Sequence, residues 1–177
     1  MGNQDSVTSD PIVAGVMGRL GKSKPTANTL IVEASHDTPM SPLQVWSVFA
    51  DLEKWKRWAN PLVSNSRWLE GRSFEVGATF ELDRRFGFPV GRQVTVETVR
   101  EVVPGQSVVW WDGEGGIRNC HLWSFDALPD GGTRIRNVEV LVGPIILVAR
   151  PFLKKRLAQL FGQNVEGLLR VAEREHA

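Results

Sequence analysis

Residues 41–63, SPLQVWSVFADLEKWKRWANPLV, contain the strongest local folding signals in the chain. Ser41 is a preferred N-cap residue, Pro42 suits the first helical position, and Gln44 completes a capping box. The apolar side chains that recur at helical spacing are Val45, Trp46, Phe49 and Leu52. This pattern predicts a helix that buries one face and is broken by Pro61.

The chain before this stretch contains a strand and a separate N-terminal segment. From residue 29, TLIVEASHDTP alternates apolar and polar residues, which predicts a strand. In residues 1–28, Ser9 or Asp10 can cap a short amphipathic helix that begins at Pro11 and ends near Gly21. We expect this helix to dock on the body or to pair with a partner, with interfacial membrane contact as an alternative. Residues 1–28 are therefore interpreted as an appendage to a domain that spans residues 29–177.

The chain after this stretch is strand-rich until its last helix. Alternation and turn residues predict strands at residues 63–70, 75–83, 91–102, 106–112, 117–128 and 133–142. Their short connections favour antiparallel neighbours. From Phe152 onward, apolar residues recur at helical spacing, and we expect Pro151 to kink this helix. A long helix with one apolar stripe must pack on something apolar, and the sheet is the only large partner.

Composition excludes several classes of function. The net charge is +1, from 21 basic and 20 acidic residues, so no nucleic-acid partner is expected. Cys120 is the only cysteine, and no metal-ligand or nucleotide-binding pattern occurs, so we expect no metal and no cofactor. The chain lacks a long apolar run, which argues against stable membrane insertion. With no signal peptide recognised, a cytoplasmic location is predicted.

At residue level the sequence resembles the START-like, Bet v 1-like superfamily, most closely its polyketide cyclase/dehydrase and lipid-transport branch. The residues of 41–63 that carry the resemblance are Val45, Trp46, Asp51, Trp58 and Pro61. It continues through EVGATFEL, VREVVPGQSVVW and LPDGGTRI and spans about residues 29–175. The resemblance implies an α+β helix-grip fold, in which a curved seven-stranded antiparallel sheet wraps around the long C-terminal helix and two short helical segments follow the first strand. It also implies an apolar cavity between sheet and helix.

Strand parity selects the candidate catalytic residues. In residues 117–128, Asn119, His121, Trp123 and Phe125 share the more apolar face with Ile117, whereas Cys120 lies on the other. The same parity on the next strand places Asn137 and Glu139 inside. His121 is the candidate acid or base, because its ordinary pKa suits proton transfer, and Glu139 could orient it. The alternative is a structural hydrogen-bond network, such as His121 with Glu139.

Aromatic residues supply the candidate ligand wall. Seven tryptophans and eight phenylalanines suit either a core or an aromatic-lined cavity. Trp110 and Trp111 are adjacent in one strand, so one faces inward and the other outward. Phe86 and Phe88 fall in a predicted loop, RRFGFPVGR, and could form a lid or a partner contact, or fold back on the body. The other residues assigned to ligand binding are Asn119, Trp123, Phe125, Asn137, Leu157 and Phe161.

The leading functional hypothesis is binding of a small hydrophobic molecule, such as a polyketide or lipid, between the sheet and the C-terminal helix. One alternative is a polyketide cyclase or dehydratase that uses His121. Another is a non-catalytic lipid shuttle or interaction module. The segment PIILVARPF, residues 144–152, could flank the cavity entrance or form a homodimer surface.

Overall fold

The computed structural model of the chain describes residues 10–88, 90–112 and 116–177. Its helices are α1 (Pro11–Arg19), α2 (Pro42–Phe49), a 3₁₀ segment (Leu52–Arg57) and α3 (Ile146–His176). Its strands are β1 (Thr29–Thr38), β2 (Val63–Glu70), β3 (Thr79–Gly87), β4 (Gly91–Val103), β5 (Ser107–Asp112), β6 (Arg118–Ala127) and β7 (Thr133–Val142). Ser9 and most of the predicted turn at residues 113–116 lie outside the described residues.

The strands form one antiparallel sheet in the order β1-β7-β6-β5-β4-β3-β2. Irregular register interrupts three of the strand pairs, at Trp68/Glu70, Arg85/Gly87 and Val99/Glu101. Such bulges bend a sheet and increase its twist. The concave face packs on α2, the 3₁₀ segment and α3 around one large core. This is the predicted helix-grip fold, with its long C-terminal helix and two short helical segments after the first strand.

The predicted signals explain how α2 begins. Pro42 is in its first turn, and Gln44 Oε1 accepts a hydrogen bond from the backbone N–H of Ser41 at 2.9 Å. The helix ends after Phe49, and the chain continues as the 3₁₀ segment. Trp55 Nε1 donates to Phe49 O at 2.6 Å and ties the two segments together. The turn that follows brings the chain through Pro61 into β2.

The bounds of the final helix and of β3, which begins at Thr79 and not at residue 75, differ most from the sequence-based expectation. The final helix begins at Ile146 instead of Phe152, so the apolar segment 144–152 forms its first turns and does not precede it. Proline is disfavoured inside helices, which is why a start after Pro151 is the natural expectation. β3 extends to Gly87, so Arg84 and Phe86 belong to a strand and not to the predicted loop.

The convex face of the sheet is covered by α1. Asp10 caps this helix through hydrogen bonds from the backbone N–H groups of Ile12 and Val13. The helix and its C-cap residue Leu20 bury Val13, Val16 and Met17 against Cys120 and Leu122 of β6 and valines of β5 and β7. Arg136 pairs with Asp10 at 2.6 Å, and Arg19 pairs with Glu101. The predicted amphipathic helix therefore docks on the body.

None of the helices in the described part of the chain combines the length and apolar character that a membrane span requires.

Candidate functional site

The space between the concave face and α3 contains a dense aromatic cluster. Its rings are those of Trp46, Phe49, Trp55, Trp58, Phe74, Phe80, Trp110, Trp123, Phe125 and Phe161. Phe49 lies at the centre, with ring centroids 5.1 to 5.3 Å from those of Trp55, Phe74, Trp123 and Phe125. These separations are typical of favourable aromatic pairs. Most of the tryptophans that suggested a cavity wall therefore pack against one another.

The cavity that remains has a volume of about 20 Å³. That is room for about one water molecule, since a water needs roughly 10–15 Å³ of this kind of volume. The residues that line it include Trp58, Arg84, Phe86, Trp110, His121 and Phe161. In the described residues, the roomy cavity implied by the resemblance is closed by aromatic side chains. A larger guest requires these side chains to move.

His121 lies on β6, faces this cavity, and is buried. Its Nε2 is 2.5 Å from Asn137 Oδ1 on β7. Its Nδ1 is 3.9 Å from Glu139 Oε1, which is too long for a hydrogen bond, and has no partner. The ring stacks on Phe161 of α3, with centroids 5.3 Å apart and 5° between planes. The direct partner of His121 is therefore Asn137, and Glu139 is its neighbour.

Burial favours the neutral form of His121. Removal from water lowers the pKa of the imidazole below its ordinary value, and the charge of Glu139 and the hydrogen bond to Asn137 oppose this only in part. Because Asn137 Oδ1 is an acceptor, Nε2 carries the proton in this arrangement and Nδ1 carries a lone pair. His121 thus presents an unprotonated, unpaired nitrogen in an apolar interior.

Glu139 and Asn119 extend the polar group along the sheet. Glu139 lies directly opposite His121 in the β6–β7 pairing and is buried. Asn119 Nδ2 donates to Glu139 Oε1 at 3.4 Å. The four polar residues that strand parity assigned to the interior, Asn119, His121, Asn137 and Glu139, are therefore brought together on one face.

A second buried polar group was missed by the sequence analysis. Arg84 Nη2 donates to Glu97 Oε1 and to Thr95 Oγ1, each at 2.8 Å. Arg84 Nε and Glu97 Oε2 are buried without a partner. The predicted polar loop includes Arg84, yet Phe80 and Leu82 precede it at strand spacing. That period-2 pattern was the available signal.

Unpaired polar atoms concentrate at the small cavity. Within the described part of the chain, the buried side-chain atoms without a hydrogen-bond partner include Trp58 Nε1, Arg84 Nε, Trp110 Nε1 and His121 Nδ1. All four belong to residues that line the cavity. Three are donors and one is an acceptor. Four of the seven buried side-chain atoms without a partner among the described residues therefore belong to residues that line this cavity.

Apart from Asn119, which lies beside Glu139, the predicted ligand-wall residues divide into two sets. Those buried in the interior are Trp110, Trp123, Phe125, Asn137, Leu157 and Phe161, and the half-buried Phe86 lines the cavity with its ring 5.4 Å from the Arg84 guanidinium carbon. Trp111 lies instead on the convex face, against the α1 cluster. Phe88 is 98% exposed at the β3–β4 turn. Neither Trp111 nor Phe88 lines the interior, because strand parity and the hairpin tip direct them outward.

Cys120 is separated from this site by the sheet. It is buried under α1, and burial raises the pKa of its thiol to about 12. A thiol and imidazole acting together is thus excluded by geometry. Among the described residues, no cluster of three or more histidine, cysteine or carboxylate side chains could hold a metal ion.

Solved structures share this fold at low sequence identity. TTHA0849 from Thermus thermophilus matches with a TM-score of 0.68 and 18% identity, over 83% of this chain and 99% of that one. The di-domain ARO/CYC StfQ from the steffimycin biosynthetic pathway matches with a TM-score of 0.61 and 18% identity, over 85% of this chain and 53% of that one. Ara h 8.0201 matches with a TM-score of 0.56 and 10% identity, over 80% and 99%.

A comparison with curated proteins gives no match. The family profile described as polyketide cyclase / dehydrase and lipid transport matches residues 29–173, which begin at β1 and end near the last turn of α3. That match spans most of the chain and all seven strands, and the fold and its hydrophobic interior are consistent with binding of hydrophobic ligands. The chain belongs to the polyketide cyclase / dehydrase and lipid transport family.

Proposed function

We propose that the protein binds a small, mainly apolar molecule, such as a polyketide or lipid, whose oxygen atoms meet the polar groups in the interior between the sheet and α3. The observation that carries this proposal is the set of unpaired atoms on Trp58, Arg84, Trp110 and His121 around one small cavity. An unpaired buried polar group costs about 1–3 kcal/mol. Four of them at one place favour a binding role over a purely structural one.

The unpaired hydrogen-bond donors and acceptors indicate which chemical groups the ligand should carry. Trp58, Trp110 and Arg84 each offer an N–H group, and His121 Nδ1 offers a lone pair. A single water accepts two hydrogen bonds, so three donors exceed what one water satisfies. A ligand carbonyl accepts from the N–H groups, and a ligand hydroxyl also donates to His121. The aromatic rings around them suit a flat, apolar ligand body.

Entry requires the interior to open, and the first turns of α3 are only lightly buried. Between residues 145 and 156 only Ile146 is fully buried. Pro151 has no N–H group to donate to the carbonyl of Leu147, so this part of the helix is held by fewer hydrogen bonds. A segment with few buried contacts opens at low cost in free energy. Phe86, which lines the cavity from β3, borders this region through the bond from Arg156 Nε to its carbonyl, at 3.0 Å.

A matched pair of probes tests this proposal by calorimetry. 2-Naphthol and 2-methylnaphthalene have nearly the same shape, but only the first carries an oxygen. We expect 2-naphthol to bind about tenfold more tightly, which corresponds to about 1.4 kcal/mol. Trp110→Phe should remove much of this preference, because it deletes the indole N–H and keeps an aromatic ring. Trp111→Phe, on the convex face, should leave the preference unchanged. Equal binding of the two probes, or no binding of either, would contradict the proposal.

The unpaired Nδ1 of His121 favours a second candidate function, proton transfer on a bound ketone. A neutral imidazole can take a proton from the carbon beside a carbonyl, and the negative charge then moves to the carbonyl oxygen. The N–H groups of Arg84, Trp58 and Trp110 would stabilise that oxygen. Delivery of this proton from His121 to the enolate oxygen gives the enol, which is an isomerisation. Where the ketone carries a β-hydroxyl group, delivery of the proton to that group instead lets it leave as water while the α,β double bond forms, which is a dehydration. Glu139 is near enough to stabilise the protonated imidazole.

Deuterium exchange tests this second function separately from binding. 2-Tetralone in heavy water exchanges its α-protons, and NMR follows the loss of their signals. We expect the protein to accelerate this exchange, His121→Asn to abolish the acceleration while 2-naphthol still binds, and Trp111→Phe to retain it. Exchange at the buffer rate in the unmodified protein would rule out the enzymatic function and leave the binding function intact.

A further inference from the structure

The β3–β4 turn and the first turns of α3 carry a group of exposed apolar side chains, here named the entrance patch. Its members are Phe88, Ile145, Leu147, Val148 and Phe152, all at least half exposed. We propose that the entrance patch docks on the surface of an anionic lipid bilayer. This proposal is independent of which molecule, if any, occupies the interior.

The patch joins two parts of the chain that meet at the same place. Phe88 lies at the tip of the β3–β4 hairpin, and the other members lie in the first turns of α3 or just before it. The hydrogen bond from Arg156 Nε to Phe86 O ties that hairpin to α3, one helical turn after Phe152. The apolar side chains from both elements are therefore neighbours at one end of the molecule.

The exposure of the patch has no structural explanation. Ile145, Val148 and Phe152 are three and four residues apart, so they share one face of α3. That face is directed away from the core, which takes Ile146 and then Leu157. Val148 is 81% exposed and Phe152 is 72% exposed. Clustered apolar side chains of this size on a surface mark a site of interaction, whereas single ones do not.

The charges around the patch indicate the kind of partner. Arg150, Lys154 and Lys155 lie in the same turns of α3, and the chain has no acidic residue between Glu139 and Glu166. An exposed apolar surface surrounded by basic side chains is typical of segments that lie at the interface of anionic bilayers. A second copy of this patch would bring like charges together, so charge opposes self-pairing.

The position of the entrance patch indicates how docking could assist the entry of a ligand. Phe86 lines the interior cavity, and its backbone carbonyl is bonded to α3 beside the patch. A bilayer in contact with this surface is therefore adjacent to the first turns of α3, where we expect the interior to open. An apolar guest could pass between bilayer and interior without crossing bulk water, which costs free energy for each apolar group exposed.

Vesicle sedimentation of the full chain tests the proposal. The probes are vesicles of phosphatidylcholine alone and of phosphatidylcholine with phosphatidylglycerol. We expect binding to the anionic vesicles to be at least about tenfold stronger and to weaken as salt is added. Lack of binding, or equal binding to both vesicles at low and high salt, would overturn the proposal.

Neutral substitutions identify the surface that binds. Val148→Ser with Phe152→Ser should abolish vesicle binding, and Lys154→Gln with Lys155→Gln should weaken it. Leu43→Ser with Val76→Ser is the matched control, because both residues are also exposed but lie outside the patch. The proposal fails if the control loses binding to the same extent as the patch variant. A dimer in light scattering that the patch variant dissociates would likewise overturn it, and assign the surface to a second copy. Neither result alters the binding of 2-naphthol in the interior, so failure here is distinguishable from failure of the proposed function.

Discussion

Arg84 and Glu97 form an ion pair inside the concave face of the sheet, with Arg84 Nη2 2.8 Å from Glu97 Oε1 and both side chains buried. Desolvation of two charges costs about as much as their attraction returns, so such a pair adds little net stability. An apolar pair of similar volume would fill the same space. We therefore propose that the pair serves ligand binding: Glu97 holds the guanidinium of Arg84 in the position where it can donate to an oxygen atom of the ligand.

Glu97→Gln is expected to destabilise the protein by about 3–5 kcal/mol, because it leaves the buried charge of Arg84 without its counter-ion. Urea denaturation, followed through tryptophan fluorescence, measures the change. The matched control is Glu81→Gln, which breaks an ion pair with Arg67 on the exposed side of β3. That substitution should cost less than about 1 kcal/mol. Adding Arg84→Met to Glu97→Gln should recover part of the loss, and a further loss of similar size would contradict this account of the pair.

His121 is expected to make the stability of the protein depend on pH. Its pKa is lowered by burial, so below pH 6.5 the unfolded chain takes up a proton that the folded chain does not. The free energy of unfolding should fall as the pH drops from about 6.5 towards the folded-state pKa, by up to about 1.4 kcal/mol per pH unit. Above about pH 6.5, the contribution of neutral His121 to the free energy of unfolding is fully present. Denaturation at several pH values measures the slope.

Two variants separate this effect from that of other groups. His121→Gln should flatten the slope between pH 6.5 and 5, whereas His36→Gln, at an exposed position of β1, should leave it unchanged. Carboxylates contribute mainly below this range. An imidazole NMR titration of His121 at its ordinary pKa would refute the lowered value directly.

The sequence was sufficient for the fold because each element has its own local signal. Period-2 alternation located the strands, the capping box located α2, and parity separated His121 from Cys120 correctly. The errors arose where local rules conflict with packing. Arg84 lies in a run of residues that is typical of a turn, yet it belongs to β3 and forms an ion pair with Glu97 of the neighbouring strand β4. The size of the cavity was also beyond prediction, since it depends on how ten aromatic rings pack in three dimensions.

The N-terminal helix is expected to protect Cys120 from chemical modification. Val16 of α1 is fully buried against the convex face, in the same cluster as Cys120. Val16→Asp should detach α1, because it buries an unpaired carboxylate. The thiol should then react with a disulfide reagent, whereas in the unmodified protein we expect the reaction to be very slow, because burial raises the pKa of the thiol to about 12. Ala14→Asp, on the exposed face of α1, is the control. Rapid labelling of the unmodified protein would mean that α1 does not cover Cys120.

Glycine is expected to be required at position 167 for stability, because α3 crosses the segment that follows α2 at this point. A β-carbon built at this position would lie 2.1 Å from the carbonyl oxygen of Trp58, so the two backbones are in direct contact. Gly167→Ala should therefore destabilise the protein by about 2 kcal/mol, despite the higher helix propensity of alanine. Gly162 is the matched control in the same helix, because a β-carbon there meets no atom within 4 Å. Gly162→Ala should stabilise by about 0.5–1 kcal/mol. Thermal unfolding of the two variants measures this difference in sign. Equal stability of the two would mean that α3 lies farther from Trp58, and a wider space there would be open to a ligand.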